Sequence, residues 1–301
     1  MAIDLQNISK NYGTISAVSD VSLTVGRGEF HGFIGPNGAG KSTTLHILMQ
    51  FIMADSGHAY IGGFDVKKNM QQVKAITGFL PSEVTYPAFY TVDALAKASL
   101  RMRSCNQEQH LKDNINTIAK FLELPLHQPF KTLSLGNRKK AGLLLSLFHE
   151  PDYLILDEPT SGFDPLIQEK CYHLLKEANQ RGTTILLSSH VLSEVERICD
   201  HVVMIKAGKI IASESVVDLT SRKMKHVVLR FPKDAPNIAS IIKHPLATAL
   251  TIEGDQIRFN WVGEVKMLLA WLTALPVIDI QIKEPTLESV FMHYYIQEEE
   301  Q

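Results

Sequence analysis

Apolar and polar residues alternate over positions 2–8, Ala-Ile-Asp-Leu-Gln-Asn-Ile. This predicts a half-buried strand that Tyr12-Gly13 ends. Alternation resumes over 18–25, and Gly26-Arg27-Gly28 turns the chain into an apolar strand, Phe30-His31-Gly32-Phe33-Ile34. A hairpin is predicted at 58–61 with Gly62-Gly63 as its turn, and a buried strand at 76–80 stopped by Pro81. From about 91 to 124 the spacing becomes helical: Val92, Leu95, Ala96, Ser99 and Leu100 make one stripe, and Leu111, Ile115, Ile118, Phe121 and Leu122 another. A further helix, with the basic start Arg138-Lys139-Lys140, runs through 143–148 and ends before Pro151. Tyr153-Leu154-Ile155-Leu156-Asp157 is an apolar run of the kind that forms a central parallel strand covered on both faces. A helix near 165–180 leads to another such strand at 183–188, then a helix at 191–199 and a closing hairpin about Ala207-Gly208. Strands alternating with helices predict an α/β core with a mostly parallel sheet and a helical insertion.

After about Ser221 the rhythm changes. A strand at 227–231, a short helix at 237–243, two strands around Gly254-Asp255, a helix at 265–275 carrying Leu268, Leu269 and Leu272, and a strand at 277–282 follow in turn. This β-α-β-β-α-β order is ferredoxin-like. A last helix, roughly 287–296, ends in an acidic tail. The expected domains are 1–220, with a helical part at about 88–150, and 221–301.

Chemistry enters at Gly35-Pro36-Asn37-Gly38-Ala39-Gly40-Lys41-Ser42-Thr43, which fits G-x-x-x-x-G-K-[ST]. Glycines let the backbone curl so that successive N–H groups point at a phosphate. The helix beginning at Lys41 adds the positive end of its dipole. Lys41 can reach the β- and γ-phosphates, and the Ser42 hydroxyl can ligate Mg²⁺. Asp157-Glu158 closes the apolar strand where open α/β sheets bind ligands. Asp157 can hold Mg²⁺ through water, and Glu158 can polarise an attacking water.

The chain has 301 residues, 45% of them hydrophobic and 21% charged, as a soluble globular protein has. A net charge of −2 gives no field that would draw it to nucleic acid. No stretch of about 18 apolar residues is present to span a bilayer. Cys105, Cys171 and Cys199 suit a reducing cytosol, and the histidines other than His190 read as structural or surface residues.

These motifs, with Leu133-Ser134-Leu135-Gly136-Asn137, the 154–160 segment ending Asp157-Glu158-Pro159-Thr160, then Ser161-Gly162-Phe163-Asp164 and Ser188-Ser189-His190, resemble the nucleotide-binding subunits of ABC transporters over about residues 2–215. The resemblance implies a P-loop cassette of the α/β class, with a parallel core sheet, an antiparallel β subdomain and a helical insertion, followed by the small α+β domain. It implies ATP and Mg²⁺ as cofactors, and Tyr12 stacking on adenine. It implies two such subunits facing head to tail, with Ser134, Gly136 and Asn137 of one reaching the ATP on the other's phosphate loop and Asp164 at the seam. His190 would contact the γ-phosphate and hold the water and Glu158 in place. ATP binding would close the pair and hydrolysis release it.

Two departures stand out. The family signature LSGGQ is here LSLGN, and the Gln that often follows the strand at 76–80 and touches Mg²⁺ is replaced by Pro81-Ser82-Glu83, which leaves Ser82 or Glu83 for that role. Both variants, and Glu284-Pro285-Thr286-Leu287-Glu288-Ser289-Val290-Phe291 near the end, resemble export-type branches that work with separate membrane subunits. The expectation is an ATPase subunit on the cytoplasmic face of the membrane. It would dock through 82–90 and the helical block, where Val84, Tyr86, Phe89 and Tyr90 offer apolar anchors. The C-terminal domain is expected to stabilise the dimer, regulate it or cap the core. A soluble ABC ATPase that remodels ribosomes or nucleic acid is the alternative. A phosphoryl-transfer kinase would leave the signature, Asp164 and His190 unexplained.

Overall fold

The computed structural model describes residues 2–103, 108–221, 224–232, 244–283, 287, 288 and 291. The chain divides into two compact units, residues 1–214 and 215–301.

The first unit is built on a six-stranded sheet that contains β3 (Phe30–Ile34), β6 (Thr77–Leu80), β7 (Tyr153–Asp157), β8 (Thr184–Ser189), β9 (His201–Lys206) and β10 (Lys209–Ser215). Their order is β10-β9-β3-β8-β7-β6. The pairs β9–β3, β3–β8, β8–β7 and β7–β6 are parallel. Every residue of β3, β7 and β8 is buried, which is why β7 and β8 carry the runs Leu154-Ile155-Leu156 and Ile185-Leu186-Leu187 and not alternation. Ala207 and Gly208 both have positive φ (46° and 79°), as a two-residue hairpin requires.

A second sheet of β1 (Ile3–Tyr12), β2 (Ile15–Val25), β4 (Ser56–Ile61) and β5 (Phe64–Asp65), in the order β2-β1-β4-β5, pairs antiparallel throughout. Its apolar face (Ile3, Leu5, Val21, Ile61) shares one buried cluster with Leu45 and Leu48 of α1 (Lys41–Leu48) and with Phe33, Ile155 and Leu186 of the central sheet. The loop between β3 and α1 is thereby anchored on both sides by core.

The helical block comprises α3 (Val92–Arg103), α4 (Glu108–Phe121) and α5 (Leu135–Leu147). α5 lies close against β6, with a glycine on each element where they approach. A Cβ on Gly78 would stand 2.1 Å from the Ser146 carbonyl oxygen, and one on Gly142 2.7 Å from Leu80 and 2.8 Å from Val84. Val84 and Tyr86, expected as docking anchors, instead pack internally: Val84 is buried beside Gly142, and Tyr86 meets Phe130 edge-to-face at 5.3 Å. Phe89 and Tyr90 are exposed.

α2 (Met70–Ile76) has no counterpart in the apolar pattern, because Val73 is its one fully buried residue. It takes Ile76 from the expected strand. α6 (Pro165–Gln180) and α7 (Leu192–Ile198) connect β7 to β8 and β8 to β9.

In the second unit, α8 (Val216–Ser221), also without a sequence signal, precedes β11 (Met224–Arg230). β12 (Ala247–Glu253), β13 (Gln256–Val262), α9 (Val265–Leu272) and β14 (Asp279–Lys283) follow. The strand order β12-β13-β11-β14, all antiparallel, is that of a ferredoxin-like sheet. Leu268 and Leu272 of α9 join Val227, Phe259 and Trp261 in its core, whereas Leu269 is exposed. The expected helix at 237–243 lies outside the described residues, as does most of the one at 287–296.

Gly78→Ala is expected to lower stability by about 1–3 kcal/mol, because a backbone carbonyl blocks the new methyl. Urea denaturation of the variant beside the parent measures this.

Candidate active site

β3 delivers the phosphate-type loop to the top of the sheet. Gly38 and Gly40 sit at φ 81° and 107°, so the curl needs glycine at both. A Cβ on Gly40 would also press to 2.5 Å on the Ala17 carbonyl oxygen. The loop closes through Ala39 N–H to Pro36 O (3.1 Å) and is tied to the β9–β10 turn by Gly208 N–H donating to Ala39 O (3.0 Å). Lys41 is buried and folds back, its Nζ donating to the carbonyls of Gly35 (2.6 Å) and Pro36 (3.1 Å). Burial lowers its pKa, against the opposing pull of Glu158 and Asp157. Asn37, Gly38, Lys41, Ser42, Thr43 and Glu158 line one open pocket.

Parallel pairing of β7 with β8 puts Asp157 opposite Ser188. Asp157 is wholly buried, and its Oδ1 accepts a 2.5 Å hydrogen bond from Ser188 Oγ. Its Oδ2 is buried without a hydrogen-bond partner among the described residues. The Ser188 hydroxyl also accepts from Glu158 N–H (3.1 Å), as does its carbonyl oxygen (3.1 Å). These bonds accompany a Glu158 φ of 48°, a left-handed conformation uncommon for a residue with a side chain. The turn aims the Glu158 carboxylate outward, where Oε1 lies 2.9 Å from His190 Nδ1.

Other expected site residues stand apart from this pocket. Tyr12 ends β1 with its ring half exposed and Lys10 Nζ 5.7 Å from the ring centre. Ser134 is the N-cap of α5, its Oγ accepting from Asn137 N–H at 3.2 Å, with Gly136 in open space. Asp164 is the N-cap of α6, its Oδ1 accepting from Ile167 N–H at 3.0 Å. Both caps are exposed, and beside them Leu135 and Leu166 are 74% and 76% exposed. Ser82 and Glu83 are exposed, and neither lines the pocket around Lys41.

Three contributors escaped the sequence reading. Ser188 was noted only within a motif, although a hydroxyl closing a buried strand must find a partner. Lys139 read as part of a basic helix start, but it is buried. Its Nζ donates to the carbonyls of Ser82 (2.7 Å), Pro81 (3.4 Å) and Asp157 (3.5 Å), joining α5 to the loop after β6. Glu194 of α7 is buried against Thr160 and Ser189.

The sheet register also brings His31 and His201 together with Glu29, which the scattered histidines gave no reason to expect. Their rings stack at 4.7 Å and 22°, and Glu29 Oε2 lies 2.7 Å from His31 Nε2. His31 is thus stacked on His201 and hydrogen-bonded to Glu29.

Residues 18–161 match the family model described as ABC transporter. The chain is 29% identical over 304 residues to the linearmycin resistance ATP-binding protein LnrL of Bacillus subtilis, covering 97% of each chain. It is 30% identical to the Nod factor export ATP-binding protein I of Rhizobium johnstonii, covering 97% of this chain and 94% of that one. Among solved structures, the ATP binding subunit of an ABC transporter superposes with a TM-score of 0.69 at 25% identity, covering 73% of this chain and 92% of the other. No helix among the described residues is long and apolar enough to cross a membrane.

Gly40→Ala is expected to weaken nucleotide binding at least tenfold, because its left-handed backbone and the nearby carbonyl both oppose a methyl group. Equilibrium titration with a fluorescent ATP analogue reads the loss.

Proposed function

The chain belongs to the ATP-binding subunits of ABC transporters, and on that premise we propose that it hydrolyses ATP at the Gly35–Thr43 loop to drive export through separate membrane proteins. The observation that carries this reading is the Glu158–His190 pair, 2.9 Å apart beside the pocket that Lys41 lines.

ATP lays its phosphates in the loop, where backbone N–H groups and the N-terminus of α1 offset their charge. Lys41 exchanges its two loop carbonyls for phosphate oxygens. Glu158 accepts the proton of a water lined up on the γ-phosphorus. As that oxygen bonds to phosphorus, the bond to the β-phosphate oxygen breaks, giving ADP and phosphate. His190 orients the Glu158 carboxylate and reaches a γ-oxygen. The donor set fits Mg²⁺: a hard cation takes carboxylate and hydroxyl oxygens, and Asp157 Oδ2 has no partner among the described residues while Ser42 lines the pocket. Bound there, Mg²⁺ would neutralise phosphate charge. Ser82 or Glu83 would take the remaining place in that shell. Tyr12, with its ring open to solvent, stacks on adenine.

Ser134, Gly136 and Asn137 complete the site from a second ATP-binding subunit, with Asp164 at the seam. The exposure of Ser134 and Asp164 at two helix N-termini, beside the uncovered Leu135 and Leu166, supports such a face. The membrane partner docks over Phe89 and Tyr90 on the cytoplasmic side, Lys131 Nζ lying 4.4 Å over the Phe89 ring.

Glu158→Gln is expected to cut turnover about 10²–10⁴-fold while ATP still binds; full turnover would refute the base. Tagged protein drawn from gently solubilised membranes is expected to bring multi-span proteins with it, and Phe89→Ser with Tyr90→Ser to lose them. Recovery of ribosomal proteins or nucleic acid, with no membrane protein, would favour the soluble remodelling class.

A further inference from the structure

Glu194 is 3% exposed, in the first turn of α7, and the hydrolytic step above makes no use of it. A buried carboxylate is expensive unless donors meet both oxygens. Here Thr160 Oγ1 donates to Oε1 at 2.6 Å and Ser189 Oγ to Oε2 at 2.7 Å. Hydrophobic packing would stabilise such a position as well as hydroxyl-bonded charge does, so stability alone does not account for the carboxylate.

The two hydroxyls belong to the two segments that flank the proposed base. Thr160 lies two residues beyond Glu158, in a turn closed by Ser161 N–H donating to Glu158 O (3.3 Å) and Phe163 N–H to Thr160 O (3.0 Å). Ser189 immediately precedes His190, and its Oγ also accepts from Val191 N–H at 2.9 Å, so one hydroxyl spans the histidine. A single carboxylate therefore grips the turn carrying Glu158 and the turn carrying His190.

We propose that Glu194 is a positioning residue for hydrolysis. Its two oxygens, through Thr160 and Ser189, hold Glu158 and His190 at their mutual distance and so set the rate of water attack without contributing to ATP binding. Displacements of about 1 Å in such groups lower rates by up to about 10²-fold.

The test is steady-state hydrolysis by the full-length chain, with equilibrium ATP binding and thermal unfolding measured on the same samples. Glu194→Gln is expected to lower kcat about tenfold and Glu194→Ala about 10²-fold, with KM and Kd for ATP within about twofold of the parent. Because the effect passes through Glu158, Glu194→Ala is expected to add nothing to Glu158→Gln in single-turnover assays. If Glu194→Ala does not fold, Thr160→Val removes one donor with little change of shape and is expected to show the same kcat-only loss. Unchanged kcat in Glu194→Gln and Thr160→Val, a proportionate loss of ATP affinity, or full additivity with Glu158→Gln would overturn the proposal. It rests on Glu158 as base. An active Glu158→Gln removes that reading, whereas an inactive Glu158→Gln beside a fully active Glu194→Gln removes Glu194 alone.

Discussion

A buried carboxylate with one oxygen satisfied is the constraint on which the rest of this site depends. Asp157 is wholly enclosed, with Ser188 on Oδ1 and no described partner on Oδ2. An arrangement like that is costly in a closed core. It persists because β7 and β8 are locked in parallel register by runs of Ile and Leu on both sides. The same register brings the Ser188 hydroxyl and carbonyl to Glu158 N–H and turns the next carboxylate outward. Apolar packing thus holds in place a polar geometry that polar groups alone would relax.

The backbone of this arrangement was legible in the chain because its chemistry is contiguous. The glycine loop, the Asp157-Glu158 pair and the segment ending in His190 each close an apolar strand, and a strand end in an α/β sheet is a place for ligands. Partnerships made across the sheet were not legible. Nothing local tells Lys139 from its neighbours Arg138 and Lys140, and its burial follows from the close approach of α5 to β6 at Gly78 and Gly142. Glu194 sits among the charged residues of a short helix, and its partners lie 34 and 5 residues away. Leu269 and Val84 erred in opposite directions. Period alone cannot say how wide a helix face is covered, nor whether a neighbouring glycine opens a seat. In the second unit the Gly254-Asp255 turn announced the pairing of β12 with β13, whereas the pairing of β11 with β13 and β14 joins distant segments.

Lys139 ties together parts that the motifs describe separately. From the helix that Ser134 caps, its ammonium reaches the carbonyls at 81, 82 and 157. A rigid shift of α5 moves those carbonyls with it, because releasing a buried ammonium from its acceptors is unfavourable. α5, the loop after β6 and the end of β7 are therefore joined through one buried ammonium.

The left-handed backbone at Glu158 carries an evolutionary consequence. Glycine would relax that residue, and random substitution screened for heat resistance alone would favour it there. With Glu158 as the proposed base, selection for a robust fold and selection for turnover would pull on this one codon in opposite directions, and the carboxylate would persist only while the second outweighed the first.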